Sequence, residues 1–329
     1  MVLETLTKII EETIGKSEAK KILWFPVTSR PCEEYRTVLI DKLLAYTEIL
    51  EKNKSSVFQK IGCQDEVEQK KVFTDIKILV KGIDNCLVSY LSGNQYQAYL
   101  SLFGALNKIK LSELINESIF IKGLENEHTY YRIRKGKKTE KPEDFYHISF
   151  TKYHLCKDDR FNIKGYPCLY LSYSKDGCKK EMNYSTECDS IASFQFKSNN
   201  SRRLFDLSWC EQKDNQNINL EPRNRKIIHI LWPLIAACKS ISRYCNETKC
   251  ECTTEPKNFK IEYVIPQMLA EYVQYNLKLD GIFYFTVRED DFNPTELNMQ
   301  NVILFTKPSG RSKEYDMDLL NEFDIQPVR

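Results

Sequence analysis

Hydrophobic periodicity changes once along this chain, and the change limits the fold more than any other feature. Leu39, Leu43, Tyr46 and Leu50 recur at spacings of three or four, as do Val72, Ile76, Leu79, Ile83, Cys86 and Tyr90. Stripes of that period put apolar side chains on one face of a helix, which neighbouring helices must cover. Gly93-Asn94 punctuates the second stripe, and a further helix is expected from about Gln95 to Leu106. From about Glu117 short β-prone runs take over: TYYRIR, FYHISF, CLYLSYS, SFQF, LFDLSW, GIFYFTVR and NVILF. Helical stretches stand among them at about Lys175–Asn183, Lys226–Tyr244 and Pro266–Tyr275, the last with its proline in the first turn, where a missing N–H is harmless. Uneven strand spacing with few helices predicts a mixed sheet rather than regular βαβ repeats. The expectation is an α+β protein: a helical N-terminal domain over 1–115, then a mixed-sheet domain over 116–329.

Composition narrows the function classes. Of 329 residues 42% are hydrophobic, enough to bury a core. The 48 basic and 46 acidic side chains nearly cancel, which argues against general nucleic-acid binding and against a polybasic membrane anchor. A local basic pocket for a small anion stays open. No run of ~20 apolar residues is present to span a membrane. The start, MVLETLTKIIEETIGK, lacks the basic end and apolar stretch of a signal peptide. The twelve cysteines are scattered, without the spacing of a small disulfide scaffold, and are expected as reduced thiols in a cytoplasmic protein.

Several familiar motifs fail. Gly15-Lys16-Ser17 resembles the end of a P-loop, but the required earlier glycine falls at Ile10. No G-x-G-x-x-G supports a Rossmann site and no H-E-x-x-H is present. Cys245, Cys250 and Cys252, with Cys238 just before, match no standard zinc spacing, so no metal is expected. The first histidine is His128, which argues against a histidine-dependent nuclease in the helical N-terminal region.

Three segments carry chemistry together. In Tyr130-Tyr131-Arg132-Ile133-Arg134 the two arginines share one side of a strand, where a guanidinium can grip a phosphate, although two arginines on a surface strand are also ordinary. The second segment runs from Arg160-Phe161-Asn162 through Cys168–Ser172 to Glu181. Tyr170 opposes Leu169 and Leu171 across its strand, and Glu181 follows on a helix able to return it to the strand's end. A carboxylate beside a tyrosine suits stabilisation of positive charge developing on a sugar, or it is simply a solvated helix residue. In the third, Tyr284, Thr286 and Arg288 share one face of a strand, and the Thr286 hydroxyl either meets a ribose or an amide or merely reflects β propensity.

Y-R-I-R, F-Y-H-I-S-F, R-F-N-I-K-G-Y-P-C-L-Y-L-S with a later glutamate, Y-V-I-P-Q-M-L and D-G-I-F-Y-F-T, in that order across roughly 121–306, resemble a RES domain. The resemblance implies an ADP-ribosyltransferase-like fold and a pocket for NAD⁺, whose nicotinamide–ribose bond many members break by phosphorolysis or hydrolysis as toxins. It implies Arg132, Tyr170 and Glu181 as catalytic residues, with Arg132, Arg160, Tyr170 and Thr286 binding the dinucleotide. Thr286 stands where the family has serine, which keeps the hydroxyl but adds a methyl and stiffens χ1. The implied roles are pyrophosphate anchoring by Arg132 with Arg160, packing of Tyr170 on the nicotinamide or its ribose, and offsetting of ribose charge by Glu181. NAD⁺ is substrate, inorganic phosphate or water the acceptor, and no metal takes part. His147 is treated as structural. An antitoxin or regulatory partner and a homo-oligomer are the implied protein partners. Two other classes remain: an ADP-ribosyltransferase acting on a protein or nucleic acid, and a silent NAD-binding regulatory module.

Overall fold

The computed structural model describes residues 28–29, 34–116, 118–162, 165–198, 202–208, 221–242, 259–285, 300–308 and 313–328. Its α-helices are α1 (Tyr35–Lys52), α2 (Lys54–Lys60), α3 (Glu66–Leu91), α4 (Gln95–Lys108), α5 (Leu111–Ile115), α6 (Lys175–Glu181), α7 (Pro222–Cys238), α8 (Val264–Glu271) and α9 (Met317–Leu320). Its strands are β1 (Thr28–Ser29), β2 (Ile121–Gly123), β3 (Thr129–Arg134), β4 (Cys168–Ser172), β5 (Ser190–Phe196), β6 (Arg203–Asp206), β7 (Ile241–Ser242), β8 (Gly281–Phe285), β9 (Gln300–Phe305) and β10 (Phe323–Val328). The fold is α+β, as expected. Among the described residues no helix is long and apolar enough to cross a membrane.

The chain forms two compact units, Met1–Ser118 with Glu211–Met268, and Ile119–Cys210 with Leu269–Arg329. The first is helical. Asp65 caps α3 by accepting the Glu68 N–H at 2.7 Å, while the Glu68 carboxylate accepts the Gln64 N–H at 2.8 Å. The expected stripes point inward: Leu39, Leu43, Tyr46 and Leu50 of α1 and Val72, Ile76, Leu79, Ile83 and Cys86 of α3 are buried. Gly82 lets α4 lie close against α3, since a β-carbon there would overlap Ala105.

At the centre of this unit sits α7, buried on every side from Ile227 to Cys238. Tyr46 stacks on Trp232 with ring centroids 4.2 Å apart, and its hydroxyl lies 2.9 Å from His229 Nδ1. This corrects the expected division at 115/116. The first crossing falls close to it, but 211–268 return to the helical unit, because the apolar surface of α7 fits among α1 and α3. The helical unit therefore does contain a histidine. His229 is fully buried, and burial pushes it down to about 4, so it is a neutral core residue.

The second unit is built on one sheet of order β10-β5-β3-β4-β9-β8-β6-β2. Its neighbours are antiparallel except β6 and β8, which run parallel. One face carries the main core, with Tyr130, Leu169, Leu171, Phe194, Phe196, Phe283, Val302 and Leu304. Most expected strands form, but FYHISF does not. Its ends lie in 3₁₀ turns, Pro142–Phe145 and Phe150–Leu155. The Arg134 guanidinium donates to the carbonyls of Asp144 and Tyr146, and His147 bonds the backbone at Ile148 and Asp316. Side chains thus take the hydrogen bonds that a sheet ladder would have supplied. The short strand β2 and the edge strand β10, which tolerates Pro327, were too short or too polar to be read from periodicity.

Candidate active site

The sheet is pinched between β3 and β4. Strand β3 pairs with β5 over six residues, Thr129 to Arg134, yet meets β4 only through Tyr131 opposite Ser172. Beyond that pair the ladder between the two strands stops, leaving a gap in the pairing. Arg132 reaches across it and donates from Nη1 to the Tyr170 carbonyl at 2.9 Å. Its Nε is buried and finds no partner among the described residues. Burial, and after it the neighbouring Arg134 guanidinium, lowers Arg132 to about 9, so it stays cationic at neutral pH. Arg134, by contrast, donates from Nε and Nη2 to carbonyls of the 142–146 turn.

Across the pinch, Ser172 of β4 lies opposite Asn301 of β9, and Asn301 lies opposite Tyr284 of β8. Residues paired this way share a face, and so does Tyr170, two positions from Ser172. Helix α6 covers this face. Ser174 caps it by accepting the Gly177 N–H at 3.0 Å, and about two turns of regular helix then deliver Glu181 at its last position. Asn301 Nδ2 donates to Glu181 Oε2, fixing the carboxylate over the strand row. Cys178, between them on α6, is in electrostatic reach of both Glu181 and Arg132. Burial first, then Glu181 against the opposing pull of Arg132, pushes this thiol up to about 12. It is thus no thiolate nucleophile.

Tyr170 is half-buried, and its hydroxyl donates to Asn162 Oδ1. Burial, then Cys168 and Tyr284, pushes that hydroxyl well above its ordinary range, so it is a neutral donor. Asn162 in turn donates to the Tyr166 carbonyl at 3.2 Å, and Phe161 packs on Tyr284 with centroids 4.9 Å apart. The R-F-N segment therefore forms a ledge beneath Tyr170.

Arg132 is joined to Tyr170 through the Tyr170 carbonyl, and Glu181 is joined to the same strand row through Asn301. Arg160 begins the R-F-N segment, on the loop closed by the Asp159–Asn162 bridge. Thr286 and Arg288 lie outside the described residues, as do Cys245, Cys250 and Cys252. Among the described residues no cluster of histidine, cysteine or acidic side chains is arranged to hold a metal. His147 has both ring nitrogens engaged by backbone, Nδ1 donating to the Ile148 carbonyl at 2.7 Å and Nε2 accepting the Asp316 N–H at 2.9 Å. That fixes it as a neutral structural imidazole, and burial holds it below its ordinary value.

No family model and no solved structure matches the chain. It is similar to a Bacillus subtilis (strain 168) protein named "Putative toxin YopC": 26% identical over 243 residues, 70% of this chain and 51% of that protein. The chain thus spans about half the length of that relative.

Sequence reasoning missed Asn162, Ser172 and Asn301. Each is a buried polar side chain, 5%, 5% and 4% exposed, inside or beside an apolar strand run. Polar residues in such runs are the available signal, since a buried polar group must be bonded or used.

Proposed function

We propose that this protein cleaves the nicotinamide–ribose bond of NAD⁺ by phosphorolysis or hydrolysis, acting as a toxic effector that depletes the dinucleotide. The observation that supports this reading is a buried Arg132 bonded to the Tyr170 carbonyl, its Nε without a partner among the described residues, beside a strand row on which Asn301 holds Glu181. A cation with spare donor capacity is what a pyrophosphate requires, and a fixed carboxylate is what an oxocarbenium-like ribose requires. Similarity to a protein named as a toxin supports the effector role. A toxin of this kind implies a proteinaceous antitoxin or regulatory partner.

In the proposed reaction the bond from ribose C1′ to the pyridinium nitrogen breaks, and its electron pair returns to the ring, which leaves as neutral nicotinamide. Glu181 offsets the positive charge that grows on C1′ and the ring oxygen. A phosphate oxygen then bonds C1′, giving an ADP-ribose phosphate ester, or a water oxygen bonds it, giving ADP-ribose and releasing a proton. Arg132 holds the pyrophosphate, with Arg160 on the adjacent loop as a second cation, and Tyr170 packs against the nicotinamide end. Thr286, which lies outside the described residues, is proposed as a further hydroxyl that binds the dinucleotide.

The test is incubation of purified protein with NAD⁺, with and without inorganic phosphate, and identification of the products by mass. Free nicotinamide with ADP-ribose, or with its phosphate ester, is expected. Intact NAD⁺ after prolonged incubation overturns the reading. Adenine label transferred to protein or nucleic acid replaces it with macromolecular ADP-ribosylation.

A further inference from the structure

Two buried polar atoms at the pinch have no partner among the described residues: Arg132 Nε and Ser172 Oγ. A buried hydroxyl without a hydrogen bond is costly, and few occur in a folded protein unless something else uses them. Ser172 is 5% exposed and sits on the one residue pair that joins β3 to β4. Its strand partner is Asn301, whose amide holds the Glu181 carboxylate. Directly opposed side chains in an antiparallel pair are close neighbours, so the idle hydroxyl stands one side chain away from the carboxylate assigned to the ribose. Serine is both donor and acceptor, as is a sugar hydroxyl, and the two can bond in either sense.

Resting on the NAD⁺ reading, we infer that Ser172 is a further substrate-contacting residue, its hydroxyl bonding a hydroxyl of the nicotinamide-side ribose beside Glu181. Asn301 acts through Glu181 and is a positioning residue. The energetic signature is unusual and can be measured. Removing a hydroxyl that no described residue bonds should not destabilise the free protein, but removing one that meets substrate weakens binding.

Ser172→Ala is compared with wild-type protein by thermal unfolding without ligand and by calorimetric titration with ADP-ribose and with ADP. The expected result is an unchanged or raised Tm, about tenfold weaker ADP-ribose binding, and unaltered binding of ADP, which lacks the distal ribose. A clearly lowered Tm overturns the inference, because the hydroxyl then has a structural partner. Unaltered ADP-ribose binding, or equal weakening of ADP, overturns it as well, while NAD⁺ cleavage by the wild-type protein keeps the functional reading standing. Wild-type protein that neither binds ADP-ribose nor cleaves NAD⁺ removes both.

Discussion

Residue types that look alike in the sequence are separated by their partners in the fold. Arg132 and Arg134 are two positions apart on β3, yet Arg134 is spent on two carbonyls of the 142–146 turn and Arg132 Nε has no partner among the described residues. Glu181 is separated in the same way from the many solvated glutamates, because Asn301 holds it. Glu181→Gln keeps the size of the side chain and gives up its charge. It is expected to leave folding and dinucleotide binding nearly intact while cutting turnover by about 100-fold or more, as loss of a transition-state group does. Steady-state kinetics with a parallel binding titration checks this. Near-normal turnover in the folded variant would remove Glu181 from the mechanism. Arg132, Tyr170 and Glu181 could be singled out in the sequence because charge and aromaticity stand out against strand and helix patterns. Ser172 and Asn301 were not, because a small polar residue within a β-prone run reads the same whether it faces solvent or a closed gap.

Elements with strong periodicity were read correctly, and those whose bonds come from elsewhere were not. The stripes of α1 and α3 and the β-prone runs of β3, β4 and β9 carry their own signal. The FYHISF run has the same β propensity, but tertiary side-chain bonds override it. Helix α7 was visible as a helix but not as the centre of the helical unit, since burial on all sides has no preferred face. Its His229 gives the element a pH signature. Burial sets the folded value at about 4, whereas an exposed histidine titrates near 6.5. Between those values the unfolded chain binds a proton that the folded chain does not. Stability from this group is therefore complete above about pH 6.5 and falls as pH drops toward 4, by up to about 3 kcal/mol. His229→Phe should abolish that component, and Tyr46 keeps its 3.1 Å bond to the carbonyl of residue 229. Urea unfolding of both proteins at pH 7.5 and pH 4.5 measures it. Parallel losses in the two would mean that His229 does not bury a neutral ring.

At the scale of the whole molecule, chain order and spatial order disagree. Periodicity places a boundary where helices give way to strands, near 115, and cannot tell that the chain later returns to its first unit. The return is decided by α7, whose Ile228, Leu231, Trp232, Leu234 and Ile235 are all buried. Each such side chain contributes roughly 1.5–3 kcal/mol on burial, and a domain's net stability is only about 5–15 kcal/mol. A fragment ending at Ser118 should therefore not fold cooperatively, however regular its helices. It would expose Tyr46 and Leu43, which α7-side packing and the surrounding helices keep fully buried in the intact unit. The expected outcome is dye binding to exposed apolar surface, a broad thermal transition and poor dispersion in the amide spectrum. Joining residues 221–242 to that fragment through a flexible linker should sharpen the transition, because it returns Trp232 and His229 to Tyr46. A fragment ending at Ser118 that melts sharply and shows a dispersed spectrum would restore the boundary that sequence periodicity alone suggests, and would leave α7 as a helix docked on an already complete unit.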